Sequence, residues 1–168
     1  MNGQEDLVDY KIISKCYYNG HKVVLAKFSH VPYLSANIRK EDLIEVECGS
    51  GTPTNAFLNA LTNDDVTYTV LDAQGTPYAM FGAGNVGIPY IWMLGTDDVK
   101  KYKTFFLKTC KEWVNRLVIN YGKVTNYVHI NNKLAIRWLK WCGANFHEQI
   151  ELKGEKFYRF TIEVKNNV

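Results

Sequence analysis

Apolar positions in this chain change period along its length, and the changes mark out the elements. Val99, Tyr102, Phe106, Cys110, Trp113 and Leu117 recur every three or four residues, the stripe of a long amphipathic helix. Lys100, Lys101, Lys103, Lys108, Lys111 and Arg116 occupy its other face. Thr96 with Asp97 and Asp98 starts it, negative charge meeting the positive end of the helix dipole. Ahead of it, 66–71 alternates as a strand, Asp72 to Gly75 turns the chain, and 77–82 pairs back as a hairpin. A glycine-rich bend follows at 82–87, then a central buried strand at 88–94. Earlier, 38–48 predicts a helix burying Leu43, Ile44 and Val46 and ending at Gly49-Ser50-Gly51. Thr52 caps a second helix with Pro53 at its first position and Ala56, Leu58, Ala60 and Leu61 on its apolar side. A strand is expected at 23–28. After the long helix come a β-rich run at 124–131, a short helix from Asn132 to Gly143 and a strand at 157–164. That last trio reads as a compact β-α-β unit, and the whole α+β order carries one parallel crossover near its end.

Composition adds bounds. The 168 residues fit one globular domain with a substantial core, and 14% aromatic residues point to packing by large rings. We expect residues 1–30 to form a leader packed on a domain of 31–168, with Tyr10, Ile12, Ile13, Tyr17 and Tyr18 in a strand or helix. A net charge of +3 gives no indication of nucleic-acid binding. Cys16, Cys48, Cys110 and Cys142 are scattered, with no CxxC pair or histidine at ligand spacing, so free thiols and no metal site are expected. No signal peptide is read at the polar start, and no apolar run reaches membrane-spanning length.

Asn132, Ala135, Ile136 and Gly143 fall on the pattern N-x-x-A-I-x-x-Y-x-x-x-G-F, with Leu139 in place of the Tyr and Ala144 in place of the final Phe. This resembles the C-terminal motif of the GNAT superfamily of N-acetyltransferases. The resemblance implies an α+β GNAT (acyl-CoA N-acyltransferase) fold, a mixed, mainly antiparallel sheet flanked by helices, over roughly residues 30–164. Further segments run in a familiar order: Ile38-Arg-x-x-Asp42, Gly75-x-Pro77-x-Ala79-x-x-Gly82, Trp92-x-Leu94-Gly95-Thr96, Asn126-Tyr-Val128 and Ile136-Arg-Trp-Leu-Lys140. Together they look like the GNAT-like proteins of short-tailed bacteriophages, similar to internal virion protein A. That implies a phage protein in the host bacterial cytoplasm or packaged in the virion.

A GNAT enzyme lets an amine attack the thioester of acetyl-CoA, and the resemblance assigns candidates for each task. The diphosphate cradle, usually R/Q-x-x-G-x-G/A, is represented by Gly95 to Thr104, where Gly95 is the only glycine. Gly95 and Thr96 would offer amides, and Lys100, Lys101 and Lys103 would offset Asp97 and Asp98. Met93 and Leu94 would present backbone to the pantetheine arm and an oxyanion donor. Asn131 or Asn132, with Ala135 following, takes the strand-to-helix junction, where an Asn serves equally as a helix cap. No full catalytic set is legible: the usual Tyr is Leu139, and 88–94 holds no Glu base. Tyr127 and His129 are the remaining candidates, and His147-Glu148 is expected to form a surface pair. Three readings stay open. One is an acetyl-CoA-dependent acyltransferase acting on an amine. Another is a catalytically inactive virion or morphogenesis component contacting phage proteins. The third is a binder of a host bacterial protein.

Overall fold

The computed structural model describes residues 19–164, so the expected leader element before Asn19 lies outside the described residues. Seven strands form one sheet: β1 Lys22–Leu25, β2 Val66–Leu71, β3 Pro77–Asn85, β4 Pro89–Gly95, β5 Lys123–His129, β6 Asn145–Leu152 and β7 Glu155–Glu163. The helices are α1 Val31–Ala36, α2 Lys40–Gly49, α3 Pro53–Asn63, α4 Asp98–Lys101, α5 Lys103–Val118 and α6 Lys133–Trp141. Strand order is β1-β2-β3-β4-β5-β7-β6, and every neighbour pair is antiparallel except β4 and β5. The α+β class follows as expected.

Two cores flank the sheet. The larger packs α5 and α6 onto it through Tyr78, Phe105, Phe106, Trp113, Leu117 and Ile136. Trp113 lies 4.9 Å from the Tyr68 ring and 5.6 Å from that of Phe81, so the aromatic content is spent mainly here. The smaller gathers Val31, Leu34, Phe57 and Met80 beneath Trp92 and Leu94.

Several expectations need correction. The expected parallel crossover is that of β4 and β5, joined across α4 and α5, whereas in the terminal β-α-β unit β7 returns antiparallel to β5. An unforeseen strand, β6, intervenes. Most of its side chains are exposed, so its sequence carries no alternation to read. The bend expected at 82–87 begins later, because β3 continues to Asn85. Its glycines serve close approach instead: a Cβ on Gly82 would meet Val66 O at 2.5 Å, and one on Gly84 would meet the Tyr90 hydroxyl at 2.5 Å.

The long helix is broken at Tyr102 (φ −102°, ψ 28°) into α4 and α5, and Phe105 joins its buried face. In α2 the buried positions are Asp42, Val46 and Cys48, with Leu43 and Ile44 only partly covered, because Asp42 is drawn inward by polar partners. In α3 the Thr52 cap holds, its hydroxyl accepting from Asn55 N at 3.2 Å, but Phe57 and Ala60 face inward and Leu58 is exposed.

Candidate functional site

The one parallel pairing is the weak seam of the sheet. β4 and β5 register only at Tyr90 and Thr125, and the strands part beyond that point. Asn126 Nδ2 reaches across to donate to Ile91 O at 2.8 Å. Ile91 and Gly95 both direct main-chain groups away from β3, so strand alternation turns the N–H and C=O of Met93 into the same gap. The gap opens into a cavity of ≈ 940 Å³, lined from both faces of the sheet: Val46 and Ala60 on one side, Phe106, Trp113 and Leu139 on the other. Nε1 of Trp113 and Nη1 of Arg39, both on lining residues, are buried without a hydrogen-bond partner, while the Trp138 indole faces the Cys110 thiol.

The C-terminal end of β4 is closed by a polar lock. Arg39 donates to Asp42 twice, from Nε at 2.8 Å and Nη2 at 2.6 Å, and from Nη2 to Asn132 Oδ1 at 3.0 Å. Asp42 Oδ2 also accepts the Gly95 N–H at 2.9 Å, while Gly95 O accepts the Arg39 N–H at 2.9 Å. Thr96 N–H is taken by Tyr78 O at 2.9 Å. Asn132, 1% exposed, caps α6 by accepting from Ala135 N at 3.3 Å and donates to Glu45 at 3.0 Å. Asn132 is therefore more than a cap, since it ties α2, β4 and α6 together.

Glu45 extends this network into the cavity. Its Oε1 accepts from Asn132 and from the His129 main-chain N–H at 2.9 Å. Burial, followed by the charge of Asp42, raises its carboxyl to about 7, against the lowering effect of those hydrogen bonds. Sequence reasoning sought a Glu on the central strands. The residue that enters the cleft sits on α2 instead, where no local pattern singles it out.

At the other end of β4, Tyr90 OH and Trp92 Nε1 each donate to Asp64 at 2.5 Å. Their rings lie over Gly84 and Gly82, in space a side chain on β3 would fill. Burial raises the Asp64 carboxyl, opposed by the two donors.

Of the residues expected at a cofactor site, Met93, Leu94, Asn132 and Ala135 line the cavity. Gly95, Thr96, Lys100, Lys101, Lys103 and Asn131 are not among its lining residues. Lys100 pairs with Glu41 at 3.4 Å and Asp97 at 3.8 Å, Lys101 sits 5.0 Å from the Tyr102 ring centroid, and Lys103 is exposed. The Asp97 side chain is 80% exposed, so the carboxylate standing at the strand end is that of Asp42. Tyr127 borders the cavity but is 44% exposed. His129 is buried with both ring nitrogens engaged: Nδ1 accepts from Asn131 N at 3.2 Å, which leaves the proton on Nε2, 2.5 Å from Glu155. His147 and Glu148 do not pair with each other. His147 bonds Thr161 at 2.8 Å, and Glu148 bonds Arg159 at 2.6 Å.

An acyl-CoA therefore fits this site unevenly. The cleft and the Met93 main chain suit a pantetheine arm. The strand-end amides that would receive a diphosphate are already bonded, one of them to a carboxylate. Among the described residues no three His, Cys, Asp or Glu side chains gather as a metal site, and no helix is long and apolar enough to cross a membrane.

Comparison with known proteins places this geometry. Residues 67–151 match the family model described as bacteriophage T7 probable scaffold protein Gp13. The probable scaffold protein gp13 of Escherichia phage T7 is 35% identical over 96 residues, covering 55% of this chain and 67% of that protein. Among solved structures, spermidine N-acetyltransferase from Vibrio cholerae in complex with CoA and spermine aligns with TM-score 0.65 at 10% identity, over 87% of this chain and 96% of that one. A GNAT-family acetyltransferase from Bacillus anthracis gives 0.65 at 10% identity, over 89% and 98%. The ribosomal-protein-S5-alanine acetyltransferase of Vibrio fischeri gives 0.63 at 11% identity, over 89% and 96%. At such identities these likenesses show the fold, and the fold is that of the GNAT acetyltransferases.

Proposed function

Because this chain belongs to the family of the bacteriophage T7 probable scaffold protein Gp13, we propose that it acts in phage particle assembly and that its GNAT-fold cleft binds an acyl-CoA chiefly by the pantetheine arm. The observation that supports the cleft reading is the parting of β4 from β5 beyond Tyr90, which leaves Met93 lining the cavity. Amides of a pantetheine arm would pair with the open edge of β4, and a thioester carbonyl would meet the Met93 N–H. An acyl-CoA supplies an activated acyl group when bound. The lock at Gly95 predicts that the diphosphate adds little. The likeness to the phage T7 probable scaffold protein supports this assembly role, with phage proteins as its partners in the host bacterium.

Thermal unfolding with acetyl-CoA and, separately, with S-acetyl-pantetheine tests this. Ligand at a hundredfold over its Kd raises stability by about 2.7 kcal/mol, so binding is visible as a higher midpoint. We expect upward shifts of similar size with both. No shift with either removes the cleft reading. A shift with acetyl-CoA alone means the diphosphate is held after all. Recovery of the chain from purified particles or assembly intermediates tests the assembly reading separately.

A second reading, N-acyl transfer to an amine, is favoured by Glu45. A carboxyl raised to about 7 inside the cleft is poised to take a proton from an ammonium group near neutral pH. Acetyl transfer from acetyl-CoA to a polyamine, abolished in Glu45→Gln, would establish it.

A further inference from the structure

The wall of the cleft that α5 and α6 share carries two cysteines that neither reading uses. Ring and hydrogen-bond contacts fix how the helices face each other. Phe106 meets Trp138 edge-on at 4.8 Å, Trp141 Nε1 donates to Leu107 O at 3.4 Å, and Lys111 Nζ stands 3.8 Å from the centroid of the Trp141 ring. Cys110 lies one helical turn after Phe106, and Cys142 one turn after Trp138, so the same facing brings the two thiols together. Both line the cavity, Cys110 buried and Cys142 partly open. Cys142 occupies the C-cap of α6, and Gly143 behind it holds φ 89°, so the backbone there can adjust without disturbing the helix.

We propose that Cys110 and Cys142 are a redox-modification site, a dithiol that a low-molecular-weight disulfide converts to an intramolecular disulfide pinning α6 to α5 along the cleft. The electrostatics agree with the geometry. The hydrogen bond from Cys142, helped by one from Trp138, holds the Cys110 thiol below its ordinary range, against burial, while the Cys142–Cys110 contact and burial raise Cys142. Cys110 is thus the nucleophile and Cys142 the resolving thiol. The Cys110 thiolate attacks one sulfur of the oxidant RSSR. The old S–S bond breaks, and RS⁻ leaves and takes up a proton. Cys142 then gives up its proton and attacks Cys110 Sγ in the mixed disulfide, expelling the second RSH. Two thiols are oxidised, and one RSSR is reduced to two RSH. The cavity provides the route for a small oxidant, and Cys48, buried on α2, is not part of the pair.

The test uses the full chain and oxidised glutathione, followed by alkylation of remaining thiols and peptide mass spectrometry, and it does not depend on acyl-CoA binding. The expected product is the Cys110–Cys142 crosslinked peptide, with an unfolding midpoint raised by roughly 5 °C or more and restored by dithiothreitol. Cys142→Ser should instead trap a glutathione adduct on Cys110 with no such rise. The proposal is overturned if both thiols are recovered alkylated after oxidation, if each carries its own glutathione in the unmutated chain, or if Cys16 takes either one as partner.

Discussion

The two ends of β4 use the same device, a carboxylate placed against the strand, for different results. At the C-terminal end, Asp42 is fully buried and answered by a cation: Arg39 gives it two hydrogen bonds, and the Gly95 amide a third. At the N-terminal end, Asp64 is only half-buried and answered by neutral donors, Tyr90 and Trp92. A buried charge with its counter-ion is costly to disturb from either side. A half-buried carboxylate held by neutral groups keeps a raised pKa and an approach from solvent. The first end is a fastening that ties α2 to the end of the strand. The second is a mouth whose polarity can vary. Glu45 stands between these extremes, joined to the fastening through Asn132 and yet near neutrality in pKa.

Substitutions rank the contrast by size. Asp42→Asn strands the Arg39 guanidinium in the interior and should cost about 3–5 kcal/mol, read by urea unfolding. A loss below about 1 kcal/mol would show that the lock contributes little. Glu45→Gln comes next, and its effect depends on pH. The folded carboxyl, near 7, lies above its ordinary 4.5, so the folded state holds the proton more tightly than the unfolded chain. This group therefore contributes stability at low pH and loses it as pH rises from about 4.5 through 7. The variant should remove that decline, gaining up to about 3 kcal/mol relative to the unmutated chain between pH 5 and 8. Parallel stability–pH curves for the two would refute the assignment. Gly84→Ala is the mildest: its Cβ would collide with Tyr90, whose displacement should cost about 1–3 kcal/mol and expose Asp64. Retention of the Tyr90–Asp64 bond in a crystal structure of the variant would contradict this.

How legible each part was follows from how local its cause is. The stripe of α5 and the Thr52 cap of α3 depend on near neighbours, and both could be read directly. The helix break at Tyr102 could not, because the apolar stripe runs on through that residue without a Gly or Pro to mark it. Strand β6 was invisible because its solvated faces erase the period-two signal. At the site, Asn132 and Met93 were reached through the motif and the strand before the long helix. Glu45 was missed because its environment is made by Asn132 and His129, more than eighty residues away. The Arg39–Asp42 pair stood in the sequence as an i, i+3 pair, yet nothing local told that it would be buried against Gly95.

The single register point between β4 and β5 divides the sheet mechanically. Strands β1 to β4 form one plate, and β5, β7 and β6 form another. The plates are hinged at Tyr90–Thr125 and laced by the Asn126–Ile91 bond. Anything inserted in the seam, whether a small molecule or a segment of another protein, would sit between the two plates. Amide hydrogen exchange should record this as fast exchange at Met93 beside slow exchange at Met80 and Val128, with Met93 slowing whenever the seam is filled.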